Sequence, residues 1–184
     1  MGTVYVFLAE GFEEIETISV VDVLRRASIS TKTVSIADNN VVSGAHGISV
    51  VADKSFEQTN FDEAAMLVLP GGMPGASGLD AHKGLRELIL KFAKANKPLA
   101  AICAAPLVYG NLGLLKGKQA TCYPGFEKFL EGASIHRDKA VVRDGLFITA
   151  EGPAAAPAFA LEIVAYFLGN EKANEVAKGM LVRN

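Results

Sequence analysis

The sequence predicts a doubly wound α/β fold with a mostly parallel sheet. Short apolar runs rich in β-branched and aromatic residues recur along the chain, and helical stretches come between them. The runs are continuous rather than alternating, as strands covered on both faces require. Half of the 184 residues are hydrophobic and 21% are charged, enough to build a sizeable core. With no repeat, linker or low-complexity tract, residues 1–184 read as a single domain.

The elements follow in order. Thr3–Leu8 (TVYVFL) is a buried strand ending in Ala9-Glu10-Gly11. Glu13 to Ala27 is a helix, with acidic residues in its first turn and Arg25 and Arg26 in its last, as the helix dipole favours. Strands are expected at Thr33–Ala37 and Ile48–Val51, the second within a hairpin around Val41–Val51. Met66–Leu69 is a strand ending in Pro70-Gly71-Gly72, and a helix is expected near Leu85–Ala95. Leu99–Ile102 is a strand running through Cys103-Ala104-Ala105 into a helix at Pro106–Leu112. A last strand at Leu146–Thr149 precedes helices at Ala154–Leu168 and Glu171–Lys178.

Composition excludes several classes of function. Eighteen basic against twenty acidic residues give a net charge of −2, without the basic excess that nucleic-acid binding uses. No stretch approaches the ~18 to 20 apolar residues that span a bilayer, and the first residues lack a basic leader. A soluble, unexported, cytoplasmic protein with no membrane contact is expected. Cys103 and Cys122 are too few for a disulfide scaffold and lack metal-ligand spacing, which fits a reducing cytoplasm.

In a doubly wound sheet, ligands bind beyond the carboxyl ends of the strands. Three such ends are chemically unusual: Glu10-Gly11, Pro70-Gly71-Gly72 and Cys103-Ala104-Ala105-Pro106. If their strands are neighbours, they share one crevice. Cys103 occupies a tight strand-to-helix turn flanked by small residues, resembling in principle a nucleophile elbow, and the following helix is expected to lower the thiol pKa. The alternative is a buried structural cysteine. Cys122 has no such turn and reads as a core residue at a strand end.

On the first helix, Glu16 falls on the apolar side with Val20, Val23 and Leu24, and Glu13 lies at that helix mouth. Burial there would raise the Glu16 pKa and make it a hydrogen-bond donor at neutral pH; an edge glutamate reaching water is the competing reading. Ile15 and Ile18 point to the polar side, as a second buried face such as a dimer interface would explain. The Pro70–Gly75 loop lacks the residues of a nucleotide-binding loop; its N–H groups either hold an oxyanion or form a plain turn. His46, His82 and His136 read as surface or loop residues, none adjoining Cys103.

Taken together, Gly11-Phe12-Glu13-Glu14-Ile15-Glu16, Leu69-Pro70-Gly71-Gly72, Ala100-Ala101-Ile102-Cys103-Ala104-Ala105-Pro106 and Glu151-Gly152-Pro153 resemble the ThiJ/PfpI superfamily, in the branch of Parkinson disease protein 7 and its bacterial relatives. The resemblance runs from Val4 to about Val176. It implies a flavodoxin-like three-layer α/β sandwich and a homodimer packed partly through the first helix, which suits Ile15 and Ile18. It further implies that Cys103 is a reactive, oxidation-prone nucleophile, that Glu16 is the acid hydrogen-bonded to it, and that the N–H groups of Gly72 and Ala104 form an oxyanion pocket, with Gly71 and Tyr123 lining it. Tyr123 stands where animal members carry a histidine. A phenol with a pKa near ~10 is a poor base at neutral pH, which argues against histidine-assisted chemistry. The protease-like branch has histidine directly after the cysteine; Ala104 here disfavours a peptidase or amidase.

Two functions are compatible with these residues. The first is a cofactor-free glyoxalase or deglycase in which Cys103 adds to methylglyoxal, glyoxal or an early glycation adduct and Glu16 moves the proton, protecting against carbonyl stress. The second is a redox sensor or oxidation-regulated chaperone in which Cys103 becomes a sulfinic acid.

Overall fold

The computed structural model describes residues 2–182. The chain runs β1 (Thr3–Leu8), α1 (Glu14–Arg26), β2 (Thr31–Ser35), β3 (Val41–Ser43), β4 (Ser49–Val51), β5 (Lys54–Ser55), β6 (Ala64–Leu69), α2 (Gly75–Ala81), α3 (Lys83–Lys94), β7 (Leu99–Ile102), α4 (Pro106–Asn111), β8 (Gln119–Ala120), β9 (Ser134–Ile135), β10 (Val141–Asp144), β11 (Phe147–Ala150) and α5 (Ala156–Gly179). The central sheet has the order β10-β11-β7-β6-β1-β2-β5. Within it only β10 pairs antiparallel, with β11. This is the mostly parallel, helix-flanked sheet of a flavodoxin-like α/β fold, as the continuous apolar runs predict.

The middle strands are the core. Val4, Val6, Phe7 and Leu8 of β1, Met66–Leu69 of β6 and Leu99–Ile102 of β7 have no exposed surface. Helix α1 packs against α5, while α2 packs against α3 and α4. Strands β1, β6 and β7 are consecutive, so the three unusual strand ends do open side by side. From β1 the chain crosses through α1 to β2, and from β6 it crosses the other way to β7, which places a topological switch point between β1 and β6.

The β3–β4 hairpin occupies the expected Val41–Val51 segment. Gly169, at φ 83°, interrupts α5 where two helices are expected. Helix α2 and strand β10 are not apparent in the sequence. The first contains Gly75 and Gly78, which lower helix propensity, and the second is a four-residue edge with a mixed burial pattern. No described helix is long and apolar enough to cross a membrane.

Candidate active site

Cys103 leaves β7 at φ 64°, a left-handed conformation that costs a non-glycine residue about 1–3 kcal/mol. Its backbone is held on both sides: its N–H donates to Ala150 C=O at 2.8 Å and its C=O accepts from Tyr123 N–H at 2.8 Å. Pro106 opens α4 at once, and the buried Tyr109 hydroxyl donates to Ala100 C=O at 2.9 Å, tying that helix back to β7.

The carboxyl arrives from α1. Glu13 caps this helix, its Oε2 accepting from Glu16 N–H at 2.8 Å, and this first turn aims Glu16 at the strand ends. Glu16 is fully buried; its Oε2 accepts from Gly71 N–H at 2.7 Å, whereas its Oε1 has no protein partner of ordinary hydrogen-bond geometry. Gly71 is the wall that both groups touch. A Cβ atom there would lie 2.6 Å from Cys103 Cβ and 2.8 Å from Glu16 Oε2, so only glycine fits without displacement. Gly72, at φ 87°, packs on the turn that begins α1, where a Cβ would collide with Glu13 N and Gly11 O.

Electrostatics couple the pair. Burial pushes the Glu16 pKa up to about 7, while the hydrogen bond from Gly71 N–H and the adjacent Cys103 thiol hold it down. Burial and then the Glu16 carboxylate push the Cys103 thiol up to about 12, outweighing hydrogen bonds from Gly72 and Ala104 N–H. The expected lowering of the thiol pKa is therefore overturned. Helix α4 has six residues, and its field is smaller than the cost of a buried thiolate beside a carboxylate. Each group's protonation therefore depends on the other's.

The other residues singled out in the sequence are placed as follows. The N–H groups of Gly72 and Ala104 both reach the Cys103 sulfur. Tyr123, 46% exposed, joins Pro124, Glu151, Gly152, Pro153 and Ala154 around an open cavity of about 220 Å³ at the end of β11. Cys122 is buried, and burial pushes its thiol up to about 12. His82 accepts from Leu85 N–H at the start of α3, and His136 pairs with Gln119, so neither adjoins the thiol. Ile15 and Ile18 are 57% and 47% exposed.

One constellation has no clear sequence signal. Glu14 is buried, yet its pKa falls to about 2: burial works to raise it, but His46 Nδ1 at 2.9 Å and the N–H groups of His46 and Ile48 prevail. His46 is raised in turn by its hydrogen bond to Glu14 and the Glu14 charge. A ligand atom from each of Glu13, Glu14 and His46 lies within 4.8 Å of the others, making these the described residues best placed to hold a cation. The partner of Glu14 comes from the hairpin, remote in sequence, which is why helical periodicity is silent about it.

Comparison with known proteins bears on the whole arrangement. The DJ-1/PfpI family model matches residues 2–166. The chain is 38% identical over 178 residues to the Drosophila melanogaster protein dj-1beta, covering 96% of this chain and 95% of that one. It is 34% identical over 186 residues to the Parkinson disease protein 7 homolog of Danio rerio, covering 97% and 96%. It also spans 40% and 45% of the length of the Arabidopsis thaliana DJ-1 homologs B and A, at 37% and 39% identity. The crystal structure of Drosophila DJ-1beta superposes with a TM-score of 0.94 at 37% identity, covering 100% of this chain and 99% of that one. An oxidized Toxoplasma gondii DJ-1 superposes at 0.93 and 30% identity, with both chains fully covered. With a family match across most of the sequence and the fold shared from end to end, the chain belongs to the DJ-1/PfpI family.

Proposed function

We propose that the protein is a cysteine-dependent, cofactor-free glyoxalase or deglycase acting on methylglyoxal, glyoxal or early glycation adducts. The observation that carries this reading is the convergence of Cys103 and Glu16 on Gly71, with the Gly72 and Ala104 N–H groups at the sulfur. Glu16 takes the thiol proton as sulfur attacks the aldehyde carbon, and the developing alkoxide is held by N–H groups before it is protonated to a hemithioacetal. Glu16 then removes the proton from C1 and a proton returns to C2, giving a lactoyl thioester. Water hydrolyses the thioester to lactate and restores the thiol. The net change is methylglyoxal plus water to lactate, an internal redox step that needs no external oxidant.

A second reading is favoured by one observation: the similar Toxoplasma gondii structure is an oxidized DJ-1. In this reading two equivalents of peroxide convert Cys103 through sulfenic to sulfinic acid, releasing two waters, and protonated Glu16 donates a hydrogen bond to the product.

Members of this family are commonly dimeric. For this chain the proposed dimer face is that of Ile15 and Ile18. The free Cys103 and Cys122 suit a reducing cytoplasm.

Lactate released from methylglyoxal per mole of protein tests the first reading, with wild type and Cys103→Ser side by side. Many turnovers lost in the variant support it. At most one equivalent consumed overturns it, and peroxide then adding two oxygens to Cys103 supports the sensor.

A further inference from the structure

Two hydrogen bonds hold the left-handed Cys103 backbone, and both lead to β11. The first is direct, from Cys103 N–H to Ala150 C=O. The second, from Tyr123 N–H to Cys103 C=O, comes from the end of a short segment, residues 119–123, that crosses the face of the sheet.

Three N–H groups of that segment, each two residues from the next, find acceptors on three consecutive strands. Gln119 N–H donates to Asp144 Oδ2 on β10 at 2.8 Å, Thr121 N–H to Thr149 Oγ1 on β11 at 2.9 Å, and Tyr123 N–H to Cys103 C=O at the end of β7 at 2.8 Å. The order β10, β11, β7 is the order of the sheet. Strand β11 lies between the other two, so its backbone groups are paired edgewise, and a segment lying across its face needs a side chain as acceptor.

Thr149 is that side chain. It is buried in a strand whose other members, Phe147, Ile148 and Ala150, are apolar, a setting where a hydroxyl is costly unless bonded. The hydroxyl donates to Val142 C=O at 3.5 Å, which leaves its lone pairs for Thr121. Thr121 is equally buried, so bulk water cannot replace that acceptor.

We propose that Thr149 is a positioning residue for the nucleophile: its hydroxyl anchors the 119–123 segment on β11, and the segment in turn holds the Cys103 C=O, fixing the turn that aims the thiol at Glu16. This assignment rests on the reading of Cys103 as the nucleophile given above, and not on the substrate that it attacks.

The test is alkylation of Cys103 by iodoacetamide in the full chain, followed by peptide mass on both sides of neutral pH. Thr149→Val keeps the shape and removes the hydroxyl; Thr149→Ser keeps the hydroxyl. Folded Thr149→Val is expected to react on the order of tenfold more slowly at neutral pH and to lose the rise through about pH 7 that Glu16 imposes, because a displaced thiol no longer meets that carboxylate. Thr149→Ser is expected to restore most of the rate and the rise. A folded Thr149→Val with a lowered urea midpoint but a rate equal to or above that of wild type confines the hydroxyl to stability and overturns the proposal; so does a Thr149→Ser that rescues neither rate nor rise.

Amide hydrogen exchange on wild type needs no variant. The Thr121, Tyr123 and Cys103 amides are expected to be protected together, to within about tenfold. Thr121 and Tyr123 exchanging at open-loop rates beside a protected Cys103 overturns the proposal even where Thr149→Val fails to fold. Absence of lactate formation by wild type would sink the enzymatic reading alone, and the alkylation comparison would still decide the role of Thr149.

Discussion

Glu16 and Cys103 meet over Gly71, whose missing side chain leaves room for a carboxyl and a thiol to share a buried space. One group comes from the first turn of α1 and the other from the end of β7. Their proximity makes the state of each depend on the other.

The first consequence is a pH profile. Below about pH 7 Glu16 is protonated and cannot accept the thiol proton; above it, the carboxylate can. The rate of Cys103 alkylation by iodoacetamide is expected to rise through about pH 7 in wild type and to lose that inflection in Glu16→Gln. An equally reactive Glu16→Leu would sink the pairing.

Stability carries the same signature with a defined sign. The Glu16 pKa is about 7 in the folded protein against an ordinary carboxyl value of 4.5, so between these values the folded state binds more protons than the unfolded state and stability falls as pH rises. Glu16→Gln abolishes this loss. Urea midpoints at pH 4.5 and pH 8 are expected to show the variant gaining on wild type by up to about 3 kcal/mol.

Glu14 behaves in the opposite way. Its depressed pKa contributes stability that is present above 4.5 and lost as pH falls toward about 2. The raised His46 contributes fully below 6.5 and loses its contribution as pH rises through its folded value. The pair is strongest between these limits. Glu14→Ala leaves the N–H groups of His46 and Ile48 without their acceptor and is expected to cost about 1–3 kcal/mol in that window, measured by denaturant unfolding.

Gly71→Ala tests the shared wall. The added methyl forces Cys103 and Glu16 apart, with an expected destabilisation of about 1–3 kcal/mol. Lactate formation is expected to fall by on the order of a hundredfold, since displacing reacting groups by an ångström costs about that much. Alkylation and turnover measured on folded protein check it.

For the proposed dimer, Ile15→Asp with Ile18→Asp is expected to shift sedimentation velocity toward a monomer while circular dichroism stays that of wild type. Both side chains are exposed in the single chain, so the substitution spares the core.

Much of the fold was legible because burial writes itself into apolar runs: β1, β6 and β7 are visible as such. Glu16 was legible through helical periodicity, since a carboxylate on an apolar face is locally anomalous. The thiol pKa is not legible in the sequence, because dipole direction can be read there, whereas desolvation and a neighbouring carboxylate depend on how distant strands pack. Glu14 with His46 lay hidden for a related reason: an acidic residue in a helix's first turn is ordinary, and the histidine arrives through a hairpin. Strand β10 was missed because its edge position leaves too little burial to mark a pattern.

The Cys103 turn also bears on entropy. With its N–H bound to Ala150 and its C=O to Tyr123, the residue has no backbone freedom left to surrender when a ligand arrives. The ordering cost of that backbone is met once, during folding, so the proposed reaction would add little to it. In the proposed chemistry, rate enhancement would come as effective concentration, set by the rigidity of two strand ends.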